Sequence, residues 1–236
     1  MNDIDEKEFH KVCRMLQKQH INFWVCHGTL LGIVREGRLL PWDHDIDFAV
    51  WDSETTKDEI INIFTDNGYE EEKVFGDMDC LHFYGENKKI DISFYKVEGE
   101  LSSIKWAIPP HSFIAKTYLY CVGVIWSGSG RKIKLFENIF IRAIQIILNK
   151  LSLLIKLILP DSVKNMLYSY GIKLLNYTGY SYPTDLMKFH VIQYNNTQIQ
   201  VPIDSEQCLE LTYGSDWKTP KESYVWYEEA NNLIDL

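Results

Sequence analysis

Apolar and polar positions alternate along this chain with two different periods, and the switches between them mark the elements. Phe9, Val12, Cys13 and Leu16 recur at helical spacing among charged residues, so residues 5–20 are read as an amphipathic helix. Ile21–Cys26 is β-branched and aromatic, which predicts a short strand. Leu30–Arg35 predicts a short helix closed by Gly37, and Pro41-Trp42 turns the chain into a second strand. There the period becomes two: Ile46, Phe48 and Val50 point one way, Asp45 and Asp47 the other. Ser53 is read as the N-cap of a helix over about 54–66, closed by Asn67-Gly68. Tyr69–Phe75, Leu81–Tyr84 and Lys89–Tyr95 predict further strands. In the last, Ile90, Ile92 and Phe94 share a face and Asp91 and Ser93 lie on the opposite one.

Pro109-Pro110 marks a boundary. Residues 112–125 fit either a helix or a buried strand, and Ser127–Gly130 is a turn. Phe136–Leu159 predicts a long helix with one polar stripe of Asn138, Arg142, Gln145, Asn149, Ser152 and Lys156, ended by Pro160. A strand is expected at 199–203, a helix at 209–214 and a helical tail at 221–236. The sum is an α+β fold on a mixed sheet flanked by helices. Its expected division is a core over 1–108 and a mainly helical lobe over 109–236, whose segment 201–220 closes back on the core.

With 236 residues, 46% of them hydrophobic, the chain has enough apolar surface for a proper core. A net charge of −9 argues against a general nucleic-acid binder. Five scattered cysteines without a C-x-x-C spacing fit reduced thiols in a cytoplasmic protein. The charged N-terminus lacks a signal-peptide pattern, and no apolar run is long enough for a spanning helix.

The aspartates carry the chemistry. Asp45 and Asp47 project to one side of their strand, with Asp43 entering from the preceding loop. Carboxylates so close raise one another's pKa unless a positive charge compensates. Oxygen donors of this kind suit Mg²⁺, Mn²⁺ or Ca²⁺, and Mg²⁺ usually works with a few carboxylates plus substrate phosphates. Asp91, on another strand, is placed to complete such a site and to orient or deprotonate an acceptor hydroxyl. Gly28-Thr29, just before a helix, offers backbone N–H groups and a hydroxyl to phosphate oxygens. Arg35 and Arg38 are candidates to clamp phosphate or nucleotide.

The run Gly28-Thr-Leu-Leu-Gly-x-x-Arg-x-Gly-x-x-x-Pro-Trp-Asp-x-Asp-Ile-Asp47 resembles the LicD family. That family includes bacterial phosphocholine transferases, is related to fukutin and fukutin-related protein, and belongs to the nucleotidyltransferase-fold superfamily. The hallmark of the superfamily is a Gly-Gly/Ser/Thr turn, an Asp-x-Asp strand and a later carboxylate. It maps to Gly28-Thr29, Asp45/Asp47 and Asp91. Val201-Pro202, Leu209, Tyr213-Gly214, Trp217 and Pro220 resemble the family's closing segment, while 100–190 matches no known pattern. The resemblance implies a nucleotidyltransferase-like fold, catalytic Asp45, Asp47 and Asp91, and Mg²⁺ (or Mn²⁺) held by these with Asp43. It also implies transfer of a phosphorylated alcohol, such as phosphocholine or ribitol phosphate, from a CDP-linked donor to a glycan or glycolipid hydroxyl. CMP would be released, in the setting of cell-surface polysaccharide or lipopolysaccharide. Bacterial members often carry Asp where His44 stands, and strand alternation turns His44 away from its neighbours.

Other readings use the same residues. Asp43, Asp45, Asp47 and Glu54 fall at ligand positions of a calcium loop, but Phe48 stands where that loop requires glycine. Transfer of a nucleotide from a nucleoside triphosphate, or a glycosyltransferase using Asp-x-Asp, would employ the same carboxylates. The 136–159 helix reads either as a buried helix of the second lobe or as one lying on an anionic leaflet on the inner membrane face.

Overall fold

The computed structural model describes residues 3–76, 79–86, 88–108, 110–127, 139–221 and 224–235. The chain divides into two compact units. The first comprises residues 1–72, 79–105 and 178–235, and the second 73–78 and 106–177. The chain therefore leaves the first unit and returns to it, so its boundaries differ from a simple division near 108.

Among the described residues, nine elements run up to Ile108: α1 (Asp3–Lys18), β1 (Phe23–Val25), α2 (His27–Glu36), β2 (Asp45–Trp51), α3 (Lys57–Asp66), β3 (Glu70–Glu72), β4 (Cys80–Tyr84), β5 (Lys89–Glu98) and β6 (Leu101–Ile108). The second unit holds α4 (Phe113–Ser127), α5 (Ile139–Ile158) and α6 (Asp161–Ile172). The return supplies β7 (Asn176–Pro183), β8 (Phe189–Tyr194), β9 (Thr197–Pro202), α7 (Ser205–Tyr213), α8 (Trp226–Glu229) and β10 (Leu233–Asp235).

The main sheet runs β1-β2-β5-β6-β7-β10, with β4 also on β5 and β3 on β4. β2 and β5 are parallel, whereas β1 on β2, β4 on β5 and β10 on β7 are antiparallel, which makes a mixed sheet. The β2–β5 register pairs Ile46 with Ile90, Phe48 with Ile92 and Val50 with Phe94. All six are fully buried, and Phe9, Val12, Cys13 and Leu16 of α1 belong to the same core. The period-two pattern thus assigns one face of these strands to the core and leaves the other to polar groups.

Several expectations change in detail. Gly28-Thr29 is not a separate turn but the first turn of α2, which begins at His27. Thr56, not Ser53, caps α3, its hydroxyl accepting from the Glu59 N–H. Residues 112–125 are helical, as α4. The tail is a single helical turn and strand β10 rather than a helix, because Leu233–Asp235 finds a free edge on β7. With β7–β10 the residues after 176 contribute strands as well as α7 and α8, so the expected mainly helical lobe narrows to α4–α6 of the second unit.

The second unit packs Phe75, Ala107, Leu119, Val122 and Leu175 together. Phe136, Asn138 and the side chains of Arg142 and Gln145 lie outside the described residues. In the described part of α5 the expected polarity is reversed: Ser152 is buried, while Ile144, Ile147, Leu151, Leu154 and Leu157 are exposed. A buried core helix is therefore not what α5 forms. No helix among the described residues is long and apolar enough to cross a membrane.

Phe48 lies at the centre of the first core, its ring 5.5 Å from that of Phe9 and 5.7 Å from that of Phe23. Phe48→Ala should cost about 3–5 kcal/mol in a urea unfolding titration. A loss under about 1 kcal/mol would contradict the packing described.

Candidate active site

Three aspartates converge at the start of β2. Oxygens of Asp43, Asp45 and Asp47 all lie within 4.8 Å of one another. Asp45 and Asp47 come from alternate positions of the strand, and Asp43 from the segment before it, whose turn is closed by the Asp43 N–H to the Leu40 carbonyl. The His44 N–H donates to the Asp43 carboxylate at 2.9 Å, and the His44 side chain is exposed.

Gly28 lies directly beneath the cluster. A Cβ at this position would overlap Asp43 Oδ2 and stand 3.5 Å from Asp47 Oδ2. Only a residue without a side chain lets the head of α2 approach the carboxylates so closely. Thr29 is buried, and its hydroxyl accepts from the Asp47 N–H at 2.8 Å. The Thr29 backbone N–H in turn supports the Asp47 carboxylate. Thr29 therefore fixes β2 against α2, and its hydroxyl is engaged in holding the strand.

The neighbouring strands supply the counter-charges. Register sets Lys89 opposite Asp45 and Asp91 opposite Asp47 on the parallel β5. It also sets His82 of β4 opposite Asp91. His82 Nδ1 is 2.9 Å from Asp91 Oδ1, and Lys89 Nζ donates to Asp91 Oδ2 at 2.8 Å. Burial pushes the Asp91 carboxyl up, but His82 and Lys89 outweigh it and hold the pKa below the ordinary range. Asp91 joins a second close group with Cys80 and His82, adjacent to the aspartate triplet rather than within it.

Asp45 has the opposite balance. Burial, the Asp91 and Asp43 charges and a hydrogen bond shared with Asp43 push it up to about 7, with Lys89 pulling the other way. Asp47 is raised too, by burial and then by Asp45, Asp43 and Asp91. Two raised carboxylates beside a third, all offering oxygen donors, fit a hard divalent cation; this donor set matches Mg²⁺ or Mn²⁺ chemistry.

Neither arginine is brought to the aspartates. Arg35 lies seven residues along α2 from Gly28, about 10 Å down the axis. Its guanidinium is buried, donating to the Trp217 carbonyl at 3.2 Å and to Glu36 at 2.9 Å. Arg38 is exposed and pairs with the other oxygen of Glu36. The two arginines expected to clamp phosphate are instead engaged, in this structure, by Glu36 and the Trp217 carbonyl at the far end of α2. His27 has its pKa lowered to about 4, first by burial, so it brings no positive charge to the site. His82 and Lys89 were missed as site residues. The signal was present: Lys89 is two residues before Asp91, and Cys80, His82 and Tyr84 alternate on the adjoining strand.

Residues 20–119 match the family model described as LicD/FKTN/FKRP, nucleotidyltransferase domain. Over this segment the chain is similar to the LicD family. Among curated relatives it is similar to ribitol 5-phosphate transferase FKRP of Mus musculus, at 27% identity over 105 residues. That match covers 40% of this chain and 21% of the relative, so the chain spans about a fifth of the relative's length. Among solved structures, the lincosamide antibiotic adenylyltransferase LnuA, lincomycin-bound, aligns at 15% identity and a TM-score of 0.42, covering 86% of this chain and 84% of that one. ANT(2")-Ia in complex with adenylyl-2"-tobramycin aligns at 14% identity and a TM-score of 0.34, covering 71% and 96%.

Two outcomes test the geometry. Thr29→Val leaves the buried Asp47 N–H without its acceptor and should cost about 1–3 kcal/mol in chemical unfolding. Asp45 is raised in the folded chain to about 7, so its contribution to stability is present at acid pH and lost as pH rises through that value. The Tm of the metal-free chain should fall between about pH 5 and pH 8, and Mg²⁺ should restore it at the upper end. A Tm that rises over this window without metal would contradict the crowding described.

Proposed function

We propose that this chain is a divalent-metal-dependent phosphotransferase that moves a phosphorylated alcohol from a CDP-linked donor to a glycan or glycolipid hydroxyl. The observation that carries the reading is the gathering of Asp43, Asp45 and Asp47 over Gly28, beside an ionised Asp91. Members of the matched family are transferases of phosphorus-containing groups, which supports the same reaction class.

Asp45 and Asp47, with Asp43, would hold Mg²⁺ or Mn²⁺. When bound, the ion would neutralise charge on the transferring phosphate and lower the pKa of an oxygen bound to it. The protein's own contribution is position. Gly28 lets the head of α2 approach the carboxylates, and the backbone N–H groups of that helix end would favour the anionic donor beside the ion. Thr29 keeps Asp47 in line by accepting from its backbone. His82 and Lys89 hold the Asp91 pKa below the ordinary range, which suits a fixed carboxylate better than a proton acceptor tuned to neutral pH. The acceptor hydroxyl would attack the distal phosphorus of the donor and CMP would leave.

Incubation with CDP-choline or CDP-ribitol, an acceptor glycan and Mg²⁺ should release CMP. Asp45→Asn or Asp47→Asn should lower that release by about 10²–10³-fold or more. Unchanged turnover in either variant would overturn the metal-holding role, and pyrophosphate release from a nucleoside triphosphate would instead assign nucleotidyl transfer.

A further inference from the structure

The outward side of α5 has no counterpart in a helix that merely packs on a core. Leu148 packs with Tyr120 and Val124 of α4, and the polar Ser152 is buried, with Asn149 and Lys156 half-buried. Outward stand Ile144, Ile146, Ile147, Leu151, Leu154 and Leu157, most of them more than half exposed and Leu157 82% exposed. Among the described side chains between positions 144 and 158, the exposed polar one is Lys150. A soluble helix has the reverse order, apolar residues inward and charges outward. An apolar surface over residues 144–158 of this helix, about 22 Å, is a contact surface rather than scattered exposed leucines.

Charge selects the partner. The chain as a whole is −9, yet residues 110–175 carry nine lysines and arginines against two acids, Glu137 and Asp161. This stretch of net +7 includes α5. A second copy would bring the same positive stretch against the first and be repelled. An anionic lipid surface offers acyl chains to the isoleucines and leucines and negative headgroups to the lysines. Lys150 and Lys156 can lay their stems along the apolar face while the ammonium groups reach the headgroups.

We propose that α5 docks this protein flat on an anionic bilayer, with its isoleucine–leucine face among the acyl chains.

The experiment is flotation of the full chain with phosphatidylcholine vesicles, with and without phosphatidylglycerol. Recovery with phosphatidylglycerol should exceed that with phosphatidylcholine alone by about 10-fold and fall with added salt. Ile147→Asp with Leu154→Asp should abolish recovery, and Lys150→Glu should lower it about 10-fold. In the unaltered protein, amide exchange across 144–158 should slow when phosphatidylglycerol vesicles are added, a readout that requires no variant to fold. Asp47→Asn should float as the parent does, which separates docking from the proposed chemistry. Equal recovery of parent and double variant, or unchanged exchange in α5, would overturn the proposal. So would a concentration-dependent dimer that the double variant abolishes, which would assign the face to a second copy.

Discussion

Mutual repulsion among four carboxylates on two adjoining parallel strands is the constraint on which the rest of this structure turns. Asp45 and Asp47 share a face of β2, Asp43 leans in from its preceding segment, and Asp91 stands directly opposite Asp47 on β5. Like charges placed opposite one another weaken a sheet. The protein divides the burden unequally. Asp91 is held by His82 and the Lys89 ammonium, which keep its pKa below the ordinary range. Asp45 and Asp47 are left with the Thr29 N–H on Asp47 and the pull of Lys89 on Asp45, and these two carboxyls rise. What the chain leaves uncompensated is what a divalent ion would supply.

That imbalance persists because the back of the same strands is deeply buried. Ile46, Phe48, Val50, Ile90, Ile92 and Phe94 form a continuous apolar layer, and slipping the register by one residue would put the aspartates into it. Gly28 and Thr29 lock the front: one by having no side chain, the other by tying the head of α2 to the backbone of Asp47. Core and site are thus two faces of one register.

Where the sequence was legible, the determinants were local. The alternation at 45–50 and 89–95 gave the two faces, and Gly37 after an apolar run gave the end of α2. What escaped depends on distant partners. Arg35 looks like a phosphate ligand until the Trp217 carbonyl, 182 residues away, takes its guanidinium. The 221–236 tail has composition compatible with a helix, but Leu233–Asp235 pairs with β7, and edge pairing overrides local preference. His82 required the β4–β5 register before it could be placed on Asp91. In α5 the described members of the stripe, Asn149, Ser152 and Lys156, share a side, yet a stripe alone does not say which side faces inward. Burial of Ser152 settles that.

The central claim is that the aspartate triplet is built for a divalent cation. Direct binding of Mn²⁺, followed by electron paramagnetic resonance of the free ion, tests it without reference to any substrate. The account predicts saturable binding to the purified chain, weakened about 10-fold or more by Gly28→Ala, whose Cβ displaces Asp43, and by Asp47→Asn. Binding that neither substitution changes, or no binding at all, would contradict it.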